Sequence, residues 1–197
     1  EAVRQLPKTD QQKIKLVTGH IHFGVHESFA RKAQYFTILR HPVALVLSYY
    51  HYLRKRKDHP HHSWSHHYEL PEFIDSWQDM NVHNIQTRHI AGIGTHDPDS
   101  RCTLADLERA KENLKTHFLS VGLTERFDEY LLLLGQQLGW TNLFYAKMNT
   151  TGKRPTRQEI TPELHQTIEQ ANALGLELYD YATQLFEAQL AEQGERF

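Results

Sequence analysis

Arg40, His41 and Pro42 follow directly on the apolar run Tyr35-Phe-Thr-Ile-Leu39, and Ser48 comes shortly after them. Such a run reads as a buried strand, and Pro42 as the residue that stops it and opens a helix. The carboxyl end of a parallel strand beside a helix N-terminus is where α/β folds hold anions. Backbone N–H groups and the positive end of the helix dipole converge there. Arg40 adds a planar guanidinium suited to a phosphate, and Ser48 adds a hydroxyl donor. Two geometries are open. A helix that starts at Pro42 sets Ser48 about 9 Å along its axis, at roughly 1.5 Å per residue. One that starts near Leu45 sets Ser48 in the first turn beside Arg40, and joint binding of one anion requires this second arrangement. The plainer alternative pairs Arg40 with a carboxylate and bonds Ser48 back to a helical carbonyl.

Histidine offers a second chemistry, with 15 in the chain. His20 and His22 share one face if their segment is extended, and either imidazole could take a proton from a hydroxyl near neutral pH. The competing reading is a hydrogen-bonded structural histidine. His59, His61, His62, His66 and His67 crowd the stretch 55–70. They suggest a module binding Zn²⁺ or Ni²⁺, yet no carboxylate–histidine pattern fixes a geometry, and a solvated loop is the simpler reading.

The elements that must position these groups alternate. Short β-rich runs lie at 14–18, 35–39, 118–121 and 143–147, and their near-continuous apolar character is that of strands covered on both faces. Between them, Val43, Val46, Leu47 and Tyr50 mark one helical stripe. Thr103 caps a helix over 104–113, Gly139 closes one over 127–138, and Pro162 opens a long one toward Gln193, in which Gly175 marks a break or bend. The segments 55–70 and 81–99 read as long irregular regions that shape or cover a site. The expected fold is α/β, a mostly parallel sheet flanked by helices, in one domain over 1–197.

Composition narrows the function. The 197 residues carry a net charge of −2, so no global field draws the chain to nucleic acid and any anion must be held locally. The lone Cys102 excludes an intrachain disulfide and a multi-cysteine zinc site. It suits a reducing compartment, hence a cytoplasmic location. No apolar run approaches the ~20 residues of a spanning helix. The first residue is glutamate rather than methionine, so an upstream segment is expected.

R-x-P followed by V-x-x-x-x-S-x-Y, directly after an apolar strand, resembles the 3′-phosphate motif of sulfotransferases that use PAPS (3′-phosphoadenosine 5′-phosphosulfate). The variant looks like the family of heparan sulfate 2-O-sulfotransferase and its bacterial relatives. Gly19-His20, Val121-Gly-Leu-Thr-Glu-Arg-Phe127 and Lys147-Met-Asn149-Thr-Thr-Gly-Lys153 resemble further segments of that family in the same order. The resemblance implies a nucleotide-kinase-like P-loop fold and transfer of a sulfuryl group from PAPS to an acceptor hydroxyl, with PAP as product, a saccharide as acceptor and no metal required. It implies that Arg40 and Ser48 grip the 3′-phosphate, with His41 where relatives usually have aspartate. His20, or His22 beside it, is the implied base. Asn149, Thr150 and Lys153 match a loop that closes over the nucleotide, and Asn84, Gln86 and Arg88 match one lining the acceptor cleft. The family's glycine-rich phosphosulfate loop is expected upstream. Pro7-Lys8-Thr9 echoes its start but lacks the glycines. The alternative is a noncatalytic relative that binds PAP or a glycan.

Overall fold

The computed structural model describes residues 6–29, 32–59, 61–76, 83–94, 101–146 and 160–194. Two strands, β1 (Tyr35–Leu39) and β2 (Phe118–Leu123), form a parallel pair in which Phe36, Thr37, Ile38 and Leu39 face Ser120, Val121, Gly122 and Leu123. Around them lie α1 (Lys8–Gln11), α2 (Pro42–Lys55), α3 (His62–His67), α4 (Leu70–Ser76), α5 (Ile85–Ala91), α6 (Leu104–His117), α7 (Phe127–Leu138), α8 (Pro162–Ala171) and α9 (Ala173–Gly194). The architecture is mixed α/β, mostly helical, around a small parallel sheet. None of these helices is long and apolar enough to cross a membrane.

Local sequence explains the helix ends. Thr103 and Asp106 exchange backbone and side-chain hydrogen bonds in a capping box at the start of α6, and Gly139 takes a left-handed φ of 69° to close α7. Thr161 caps α8, with Pro162 in its first turn. The bend before α9 falls at Asn172, not at Gly175. Gly175 is helical, and a side chain there would close on the Asn84 amide oxygen at 3.4 Å and on the Pro42 ring at 3.6 Å. These are ordinary contact distances, so α9 packs against the start of α2 at Gly175 without requiring a glycine there.

One core joins the sheet to α5, α6, α7 and α9 through Leu39, Ile90, Leu107, Val121, Leu133 and Phe186. A second joins α2, α4 and α8 through Val46, Tyr50, Leu53, Phe73, Ile74 and Ile168. Two expected strands are not strands. Residues 14–18 are irregular, with Leu16 and Val17 exposed, and 143–146 are irregular, with Phe144 88% exposed; Lys147 lies outside the described residues. A strand needs a neighbour for its N–H and C=O groups, and the described sheet contains β1 and β2 alone. The segments 55–70 and 81–99 are less irregular than expected, since they contain α3 and α5.

Gly122 packs face-on against Tyr130. A β-carbon at Gly122 would stand 2.1 Å from the ring, and Tyr130 is itself only 4% exposed. Gly122→Ala is expected to cost about 1–3 kcal/mol by overpacking, read as a lower urea midpoint at unchanged m-value.

Candidate active site

The junction between β1 and α2 is fixed by side chains that take up its backbone groups. The Thr124 hydroxyl donates to the Leu39 carbonyl at 2.8 Å. The Gln86 amide brackets Arg40, accepting from its N–H at 2.9 Å and donating to its carbonyl at 2.8 Å. Glu125 accepts from the His41 N–H at 3.1 Å, and its other oxygen accepts from the Tyr179 hydroxyl at 2.9 Å. Glu125 thus has a hydrogen-bonding role at the junction.

The helix starts at Pro42 and not near Leu45. His41 is its N-cap, with Nδ1 accepting from the Val43 N–H at 3.3 Å, a task that an aspartate carboxylate also performs at such positions. Ser48 therefore lies in the second turn, about 9 Å along the axis from the start. The structure thus takes the first of the two geometries, not the late start that joint binding of one anion in a single turn called for. Both residues line one open cleft of ≈ 2040 Å³ even so. The reason is the two-sided pattern of α2: Val43, Val46, Leu47, Tyr50 and Leu53 are buried in the core, while Leu45, Ser48, Tyr49 and Tyr52 face the cleft.

The cleft also holds His20, which is exposed, and His89. His20 and His22 do not lie on a strand. Their segment is a turn-rich loop anchored by the Phe23 N–H, which donates to the His89 carbonyl at 2.8 Å. The His22 ring stands edge-on to His89 with centroids 4.5 Å apart. Burial, then the neighbouring charges of His22, His20 and Arg88, pulls the His89 imidazole down to about 4. His89 is the member that sequence reasoning missed. Its only signal was its place directly after Arg88.

Of the three expected acceptor contacts, Gln86 alone lines the cleft, while its amide holds the Arg40 backbone. Asn84 and Arg88 do not line it. Asn84, at φ 54°, accepts from the Gly175 N–H at 2.7 Å and gives its own N–H to Asn172 Oδ1 at 3.0 Å, tying α5 to α9. Arg88 is 1% exposed and donates to the Gly94 carbonyl at 2.8 Å. Asn149, Thr150 and Lys153 lie outside the described residues.

The histidine-rich stretch is ordered around the end of α2. The rings of His62 and His66 meet the Leu53 and Arg54 carbonyls at 2.8 and 3.1 Å, and His67 meets Ser63 within α3 at 2.7 Å. These are capping bonds of the kind that exposed helix carbonyls need. No group of three or more His, Cys, Asp or Glu side chains among the described residues is arranged to hold a metal ion.

Residues 3–197 match the galactose-3-O-sulfotransferase family. Galactose-3-O-sulfotransferase 3 of Bos taurus is 31% identical over 170 residues, covering 81% of this chain and 39% of the relative. Heparan-sulfate 6-O-sulfotransferase 2 of Homo sapiens is 34% identical over 126 residues, covering 59% of this chain and 20% of the relative. The chain thus spans well under half the length of these relatives. No solved structure matches it.

Because His89 is held neutral, the unfolded chain binds more protons than the native one between about pH 6.5 and 4, and stability falls as pH drops through that window. The wild type is expected to lose on the order of 2 kcal/mol there that His89→Gln retains, read by denaturant titrations at pH 7 and 4.5. Parallel losses in both proteins would assign the effect to other groups.

Proposed function

The chain belongs to the galactose-3-O-sulfotransferase family, and on that premise we propose that it moves a sulfuryl group from PAPS to a hydroxyl of a saccharide. Galactose and heparan sulfate, the sugars named for its relatives, set the acceptor class. The observation that carries the reading is that Arg40 and Ser48 both line one cleft, with the Arg40 backbone bonded at both N–H and C=O. A guanidinium at the strand end offers a charged donor for an anion at the start of α2, with the Ser48 hydroxyl a further donor in the second turn. The 3′-phosphate of PAPS is the group assigned there. Asn149, Thr150 and Lys153 are assigned to the loop over the nucleotide, and the fold to the nucleotide-kinase-like P-loop class. The parallel pairing of β1 with β2 supports that fold.

In the transfer, the acceptor oxygen forms a new bond to sulfur as the bond from sulfur to the bridging phosphate oxygen breaks, and PAP leaves with that electron pair. The acceptor proton passes to an imidazole. His20 suits this role, being exposed in the cleft, whereas the burial of His89 makes it a weak base. His22, on the same loop with its ring against His89, is the second candidate, although it is not among the residues that line the cleft.

Arg40→Ala should weaken PAP binding by about 2–4 kcal/mol, the scale for losing a charge-assisted pair, and Ser48→Ala by about 1 kcal/mol; calorimetric titration reads both. Unchanged affinity in Arg40→Ala rejects the phosphate site. His20→Ala should lower turnover by about 10²–10⁴-fold with PAP affinity intact. Should His22→Ala alone give that loss, the base is His22.

A further inference from the structure

The face of α2 that carries Ser48 continues into a wall of rings. Tyr49 and Tyr52 lie near-parallel, with centroids 6.5 Å apart and planes 20° from each other. His59 stands edge-on to both, at 6.4 Å from Tyr49 and 5.8 Å from Tyr52, and His61 follows at 5.4 Å from His59. All four half-buried residues line the cleft that holds Arg40 and Ser48. The wall is anchored from behind: His61 rests edge-on to Trp64, and Trp64 packs at 4.6 Å against Phe73, which is fully buried.

Its chemistry is that of aromatic faces with polar edges. The His61 N–H donates to His59 Nδ1 at 3.1 Å, which puts the His59 proton on Nε2 and makes that nitrogen a donor. Arg56 lies 5.6 Å over the Tyr52 ring and gives two 3.0 Å hydrogen bonds to Asp58, so its charge is already matched by a carboxylate. A wall of this kind is not built for a second anion. Nor is it a slot for a purine between the two tyrosines, because two stacking gaps need about 7 Å at van der Waals contact. Phenol and imidazole faces do suit the C–H face of a pyranose, with phenolic hydroxyls and ring N–H groups for its edge.

We infer that Tyr49, Tyr52, His59 and His61 form the subsite that receives the pyranose ring of the acceptor, about one helical turn beyond Ser48. This rests on the saccharide-acceptor reading above. The subsite sets sugar affinity and leaves donor affinity alone.

The test titrates the full chain separately with methyl β-galactopyranoside and with PAP, by ligand-observed NMR and calorimetry, in wild type, Tyr52→Ala and Tyr52→Phe. Tyr52→Ala is expected to weaken the galactoside at least tenfold, Tyr52→Phe less than threefold, and PAP should stay within twofold throughout. Thermal unfolding of each variant, with the ring kept in Tyr52→Phe, separates loss of the subsite from loss of fold. Galactoside binding that ignores Tyr52→Ala, or that is absent from the wild type, overturns the inference. A tenfold loss of PAP in Tyr52→Ala also overturns it, by giving the wall to the donor's base. A wild type that binds the galactoside but not PAP leaves the sugar subsite standing and sinks the sulfotransferase reading instead.

Discussion

The turn from β1 into α2 is held through its backbone. The polar backbone groups of residues 39–41 are taken up by side chains distant in sequence. Thr124 holds the Leu39 carbonyl, Gln86 holds both polar groups of Arg40, and Glu125 holds the His41 amide. Two of these come from the turn after β2 and one from α5, so the junction exists only when the parallel pairing and the α5 packing are both in place. Buried or half-buried amides left unpaired would cost about 1–3 kcal/mol each, which makes the turn sensitive to the loss of any one partner.

The same economy of position runs through α2. One of its faces fills the second core with Val43, Val46, Leu47, Tyr50 and Leu53, and the opposite face offers Ser48, Tyr49 and Tyr52 to the cleft. Its start is hemmed in by Gly175 of α9, whose amide is spoken for by Asn84, and Asn84 in turn is held by Asn172 at the bend before α9. The C-terminal helices, which carry none of the proposed chemistry, thereby fix where the first turn of α2 can lie.

Local signals in the sequence were legible wherever the chain itself decides the outcome. The Thr103 and Thr161 caps, the Gly139 stop and the Pro42 helix start all depend on neighbours within a few residues. What misled was anything decided by distant partners. The apolar runs at 14–18 and 143–147 look like strands, but an apolar run becomes a strand only beside another, and those runs have none among the described residues. Of the histidines of 59–67, His66 and His67 are solvent-exposed as a solvated loop requires, while His59, His61 and His62 are half-buried, and the α2 carbonyl that meets His62 is invisible in a linear pattern. Arg88 is buried and gives a hydrogen bond to the Gly94 carbonyl six residues on, a closure that its residue type does not announce. Whether the helix begins at Pro42 or near Leu45 was open in the sequence, and the His41 cap decides for Pro42, which sets Ser48 in the second turn.

His89 joins the loop of His20 and His22 to α5 by two contacts of different kinds. Its carbonyl accepts from the Phe23 N–H at 2.8 Å, and its ring meets the His22 ring edge-on at 4.5 Å. Burial is the largest influence on this imidazole, and the neighbouring charges of His22, His20 and Arg88 act in the same direction, so its charged form is disfavoured. A protonated ring at this position would bring a charge into a buried site next to Arg88, and a neutral ring can pack there without that cost. The contact that anchors the loop is therefore one that acid weakens, because protonating His89 works against the packing that holds it.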